Sequence, residues 1–270
     1  MLSEQITIHH FGSGKWVAPR PVSVYVPPDY HTETDKRYPV LYLQDGQNVF
    51  NPHTSFAGVA WEADETAQRL ILKKRIAPLI IVGIDNTGVD RIDEYTPVRA
   101  RDRGGKADDY GRMLTEELKP FIDSHYRTLP EREYTGLGGS SLGGLLALYL
   151  GVKKTDVFSR LAVMSPSVWW ASGFILHEIR ALPGRLPLRI WLDIGKGEGK
   201  PFRQQTRSLQ EILLDKGWQK HRHVKFADFR YLEAAKAGHN ESSWGARFDK
   251  VLRFLFPPSG GRSRSASGLR

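Results

Sequence analysis

Apolar positions recur along this chain in two rhythms. Short runs at 5–9, 22–26, 40–44, 79–84, 133–137, 161–164, 188–194 and 225–232 have strand character, most of them dense in Val, Ile, Leu or Tyr and bounded by Gly, Pro, Asp or Asn. Stretches 61–74, 110–125, 142–153, 202–216 and 243–254 carry apolar residues at helical spacing. The first two strand runs follow each other directly, whereas the later ones alternate with helices. That order predicts an α/β protein with a mainly parallel central sheet, antiparallel strands at its N-terminal end and helices on both faces. Ligands of such sheets lie beyond the carboxyl ends of the strands. Four loops should therefore converge there: Asp45-Gly46-Gln47-Asn48, Asp85-Asn86, the glycine-rich run after 133–137, and Ser165-Pro166-Ser167-Val168-Trp169-Trp170.

A length of 270 residues without internal repeats suits one large domain, expected over 1–256, followed by a Ser-, Gly- and Arg-rich tail at 257–270 expected to be disordered. The net charge is +9, but Arg262, Arg264 and Arg270 lie in that tail and the other basic residues are scattered, so no nucleic-acid partner is expected. No stretch approaches the roughly 20 apolar residues that span a bilayer. The N-terminal residues alternate like a strand rather than forming a basic start and an apolar signal core, which points to the cytoplasm. With no cysteine, thiolate nucleophiles, disulfides and cysteine metal sites are excluded. No histidine pair has the i, i+4 spacing with a nearby glutamate that a zinc hydrolase uses, and neither metal nor cofactor is expected. Nothing in the sequence sets the oligomeric state.

The chemistry concentrates in Gly138-Gly139-Ser140-Ser141-Leu142-Gly143-Gly144. A G-x-S-x-G turn between strand and helix needs glycine on both sides of a strained serine, and Gly139 and Gly143 flank Ser141, not Ser140. Such a turn exposes the Ser141 hydroxyl and leaves the Leu142 amide where an oxyanion would form. A serine needs a base to take its proton and an acid to orient that base. His239 follows the last strand run and precedes the last helix, the chain position of the base in the order Ser, acid, His; His53 is its one rival. For the acid, Glu198 in the glycine-rich loop is favoured over Asp193 inside the strand, and Asp228 is disfavoured. The second oxyanion donor falls, by position, on the Gln47 amide. Trp169 and Trp170 are expected to wall the pocket. Arg91 and Glu94 suit either contact with a polar substrate or pinning of their own loop.

Long matching runs, Val40-Leu41-Tyr42-Leu43-Gln44-Asp45-Gly46-Gln47-Asn48-Val49-Phe50, Val82-Gly83-Ile84-Asp85-Asn86, Arg91 with Glu94-Tyr95-Thr96-Pro97, and Gly238-His239-Asn240-Glu241 with Trp244, accompany the serine turn. Together they resemble the esterase family of α/β-hydrolases that groups enterochelin-esterase-like enzymes, feruloyl and acetyl-xylan esterases, S-formylglutathione hydrolase and the mycolyltransferases. The resemblance covers roughly residues 5–256. It implies the α/β-hydrolase fold, Ser141 as nucleophile, His239 as base, Glu198 as acid, oxyanion amides at Gln47 and Leu142, and a small-molecule ester as substrate. Asp45-Gly46 replaces a common His-Gly, a form frequent in the enterochelin-like branch. An acyltransferase using the same intermediate, or a catalytically silent binding protein, are the alternatives.

Overall fold

The computed structural model describes residues 5–219 and 228–258. Its first half contains β1 (Ile6–Phe11), β2 (Arg20–Tyr25), β3 (Val40–Gln44), α1 (Ala63–Leu72), β4 (Ile80–Ile84) and α2 (Arg91–Tyr95). A small hairpin, β5 (Arg99–Ala100) and β6 (Arg103–Gly104), leads to α3 (Ala107–Arg112) and α4 (Lys119–His125). Then come β7 (Thr135–Ser140), α5 (Leu142–Lys153), β8 (Arg160–Met164), α6 (Phe174–Ala181), β9 (Arg189–Gly195), α7 (Lys200–Asp215), β10 (Phe229–Ala234) and α8 (Glu241–Leu255).

Eight strands form one sheet in the order β1-β2-β4-β3-β7-β8-β9-β10. β1 and β2 pair antiparallel, β2 joins β4 antiparallel, and every pairing from β4 to β10 is parallel. This is the architecture expected from the order of elements. The central strands are buried on both faces because successive side chains alternate between two cores. Val40 and Tyr42 pack with Leu114, Leu145 and Leu209 on the face that carries α3 to α7. Leu41 and Leu43 pack with Ala67, Leu70, Phe248 and Val251 of α1 and α8 on the other.

The structure departs from the sequence pattern in four places. The helix expected over 110–125 is α3 and α4 joined by a π-helical turn, Met113–Leu118. Pro120 lies in the first turn of α4, and without an N–H it cannot continue an α-helical ladder from the turn before. β7 runs on to Ser140 through Gly138 and Gly139, residues that weaken a strand signal but are demanded here by packing: a Cβ on Gly138 would lie 2.6 Å from the Ala162 Cβ. α2, α6 and the β5–β6 hairpin, all short, were not expected. The last strand begins at Phe229, and 225–227 of the expected run lie outside the described residues, as do His221, His223 and the tail from 259 onward. Among the described residues no helix is long and apolar enough to cross a membrane.

Candidate active site

Loops after β7, β8, β9 and β10 deliver Ser141, Ser165, Glu198 and His239 to one end of the sheet. Ser141 sits at φ 56°, ψ −121°, a conformation that costs a non-glycine residue of order 1–3 kcal/mol. It is imposed by close passage of strand and helix: a Cβ on Gly139 would meet the Gly143 carbonyl carbon at 2.8 Å, and one on Gly143 would meet the Gln44 Cβ at 2.9 Å. The Ser141 Oγ lies 2.9 Å from His239 Nε2, and His239 Nδ1 lies 2.7 Å from Glu198 Oε2. A carboxylate can only accept, so Nδ1 carries the proton and Nε2 is left to accept from the serine. Ser140 is buried in β7, and His53 is exposed and does not line the cleft at Ser141. The Ser167 hydroxyl also approaches the Ser141 Oγ, at 3.3 Å.

Behind the imidazole lies a buried polar network. Glu198 Oε1 accepts from the Gly195 amide at 2.7 Å and from the Ser165 hydroxyl at 2.6 Å. Burial alone would raise the Glu198 carboxyl, but hydrogen bonds from His239, Ser165 and the Gly195 amide outweigh it and hold the group below its ordinary value. Asp193, fully buried, accepts instead from Trp191 Nε1 at 2.7 Å, from the Ser165 amide at 3.2 Å and from Arg247 at 2.9 Å. It faces Arg247, and its two oxygens are occupied away from His239. Arg247 also donates to the Ser165 Oγ at 2.7 Å, and Trp244 Nε1 donates to the same oxygen at 3.0 Å. The Trp244 ring meets His239 edge-on, centroids 4.9 Å apart. Asp228 lies before β10 and pairs with Arg185.

Asp45 opens the facing loop in a left-handed conformation, φ 58°. Gly46 follows because a Cβ there would strike the backbone of β4, 2.4 Å from the Gly83 carbonyl carbon. Both Asp45 oxygens accept from Arg91 at 2.7 Å, and Asn86 adds a third bond at 2.8 Å. Hydrogen bonds in this turn begin with the Asn48 amide to the Asp45 carbonyl, which leaves the Gln47 N–H without a partner inside the turn. Leu142, as the first residue of α5, likewise has no helical acceptor for its N–H. Arg91 and Glu94, open to either role in the sequence, are both committed to side chains of neighbouring segments. Arg91 clamps Asp45, and Glu94 forms a buried two-bond pair with Arg20 at 2.7 and 2.8 Å, which withdraws it from any substrate.

In front of Ser141 lies a cleft of about 320 Å³ walled by Trp169, Ile194 and Phe202. Trp169 and Phe202 expose 45% and 47% of their surface, which sets two aromatic faces at the mouth. Trp170 does not line this cleft: it is buried, its indole N–H donates to the Val98 carbonyl at 2.9 Å, and it faces a neighbouring cavity. The sequence reading missed Phe202, Arg247 and the part played by Ser165. Arg247 had a visible signal, a lone charge among Trp244, Phe248 and Val251 on the inward face of α8. Phe202 had none beyond its place in the first turn of α7 after the Glu198 loop.

The sequence model of the family described as Putative esterase matches residues 13–255. The chain belongs to that family. Among relatives of this esterase-family member, the uncharacterized protein YbbA of Bacillus subtilis is 26% identical over 259 residues, covering 91% of this chain and 94% of the relative. The ferri-bacillibactin esterase BesA of the same organism is 31% identical over 161 residues, 52% of each chain. The fold agrees with that of the BES protein from Bacillus cereus, at a TM-score of 0.73, 22% identity and coverage of 95% and 96%. It also matches the enterobactin esterase FES from Shigella flexneri, at a TM-score of 0.73, 21% identity and coverage of 93% of this chain and 58% of that one. The family member thus spans about half the length of these two named siderophore esterases.

Proposed function

We propose that this esterase-family protein hydrolyses carboxylic esters through an acyl-enzyme on Ser141. The observation that carries the reading is the unbroken chain from the Ser141 Oγ to His239 Nε2 at 2.9 Å and from His239 Nδ1 to Glu198 at 2.7 Å. His239 removes the serine proton as Oγ attacks the ester carbonyl, and Glu198 holds the tautomer and stabilises the imidazolium. The amides of Gln47 and Leu142 receive the oxyanion. Collapse expels the alcohol, which takes the proton from His239. The same nitrogen then activates water to release the acid and restore the serine. The His239 side chain is 47% exposed, so water reaches the base for the deacylation step.

Exposed aromatic walls suit small aryl, acyl, sugar-like or siderophore-like esters, and the names of BesA and FES support the last of these. The test is direct. Ser141→Ala lowers turnover of 4-nitrophenyl acetate by at least about 10³-fold while the far-ultraviolet spectrum is retained. A fluorophosphonate labels Ser141 in the parent chain. Turnover within about tenfold of the parent, or label on another residue, removes Ser141 from the mechanism.

A further inference from the structure

A second cavity, of about 560 Å³, lies on the far side of Trp169 from the catalytic serine. Trp169 is the wall the two share. The second cavity is otherwise formed by Trp170 and Ile92, by Ala100, Arg101 and Arg103 of the β5–β6 hairpin, and by the turn at Ala171 and Ser172. The lining is mostly apolar, with basic groups at one edge.

Three arginines, Arg99, Arg101 and Arg103, stand on that hairpin, and two of them are committed elsewhere. Arg103 pairs with Asp93 at 3.2 Å and donates to the Val89 carbonyl, and Arg99 donates to the Asp102 carbonyl at 3.0 Å. Asp93 is further occupied by the Gly104 amide at 2.5 Å. Arg101 makes no hydrogen bond or ion pair among the described residues, and its side chain is exposed at the rim.

Backbone strain singles out the same cavity. Ten described non-glycine residues have positive φ. Ser141 and Ser165 line the catalytic cleft, three more line this second cavity, Arg101 at 51°, Ala171 at 46° and Ser172 at 55°, and Asp102 at 65° completes the turn that carries Arg101. A two-residue hairpin of this kind ordinarily carries Asn-Gly or Asp-Gly. Here it carries Arg-Asp, and the strained turn holds a cation over an apolar basin. Left-handed residues that persist without glycine are held in place by their surroundings, and they gather at ligand clamps.

We propose that this cavity is a substrate subsite for an apolar, ring-sized group bearing a negative charge, with Arg101 as its counter-ion. An ester spanning Trp169 would place its reacting carbonyl at Ser141 and its anionic end beside Arg101. The proposal rests on the esterase reading of Ser141, and it names the class of ester that the site selects: one with an anionic aromatic portion on one side of the scissile bond.

Two matched pairs of esters test it. In 4-acetoxybenzoate against its methyl ester the charge is on the alcohol side; in mono-4-nitrophenyl terephthalate against its methyl ester it is on the acyl side. Each is followed by the phenol released, and the readout is the ratio of kcat/KM, acid over neutral. In at least one pair the parent protein prefers the acid, and Arg101→Gln lowers the ratio about tenfold, the loss of one charge-assisted contact, while Arg101→Lys keeps most of it. Raising NaCl from about 0.05 to about 0.5 M lowers the parent's ratio but not that of Arg101→Gln. A ratio that Arg101→Gln leaves within about twofold in both pairs overturns the subsite. If no ester in either pair is turned over, the esterase reading fails, and the subsite is judged by quenching of indole fluorescence by 2-naphthoate. Saturable quenching weakened at least about fivefold by Arg101→Gln sustains it, and its absence overturns it.

Discussion

Asp193 and Glu198 lie on the same passage from β9 into α7, yet they face opposite partners. Glu198 receives His239, and Asp193 receives Arg247. Their amide variants should fail in opposite ways. Glu198→Gln removes the negative charge and replaces one accepting oxygen by an NH2 donor, which favours the wrong imidazole tautomer and lowers kcat by up to about 10⁴ with a modest change in melting temperature. Asp193→Asn removes the nearer of the two carboxylates beside the buried Arg247 guanidinium and leaves only Glu198, at 3.8 Å, a loss of about 3 kcal/mol that lowers Tm on the order of 10 °C. Kinetics and thermal melts on both variants check this, and the reverse pattern would move the catalytic carboxylate to Asp193. Glu198 also carries a signature in acid. The Glu198 carboxyl is held below its unfolded value, so its stabilisation is complete above that unfolded value and is lost as the pH falls through the folded one. The Tm gap between parent and Glu198→Gln should narrow as the pH drops below the ordinary carboxylate range. A gap constant with pH would contradict the lowered value.

At the scale of elements, α5 places the serine. It is apolar on nearly every side, from Leu142 to Gly151, because it is wedged between the sheet and the helices above it. Gly144 lets it sit directly on β8: a Cβ there would lie 2.8 Å from the Met164 carbonyl oxygen, and backbone cannot yield as a side chain can. Gly144→Ala is expected to lift the first turn of α5, lowering Tm by several degrees, about 1–3 kcal/mol of overpacking, and lowering kcat because Ser141 caps that turn. Gly184→Ala is the control, since nothing lies within 4 Å of its Cβ position, and it should leave Tm within about a degree. Equal Tm values for the two variants would refute the wedge. The strand-helix alternation that frames α5 was legible in the sequence, whereas β7 read short because its glycines carry no side chain to signal burial.

For the molecule as a whole, the two cores share one sheet. Val40 and Tyr42 belong to one core and Leu41 and Leu43 to the other, so losing either face strips side chains from strands that hold the other. Unfolding in urea should therefore be a single transition, with tryptophan fluorescence, far-ultraviolet dichroism and esterase activity falling together. Trp191 and Trp244 report on the face with α1 and α8 and Trp170 and Trp218 on the face with α3 to α7, so independent melting would split the fluorescence curve. Two separated midpoints would show that the faces fold apart.

The sequence alone determined the order of elements, the strained turn at Ser141, the position of His239 after the last strand and the preference for Glu198. Each of these is written in local pattern: glycine spacing, periodicity and chain order. Only the tertiary structure decided what depends on which side chain meets which across the fold. It set Arg91 on Asp45 and Glu94 on Arg20, turned Trp170 away from the cleft that Trp169 walls, and brought Phe202 to its mouth. It also placed Arg247 behind Ser165 and Asp193, from a helix far along the chain. A charged or aromatic residue reads alike in sequence whether it faces substrate or backbone, because its role is set by the partner that desolvates it, and that partner is chosen by packing.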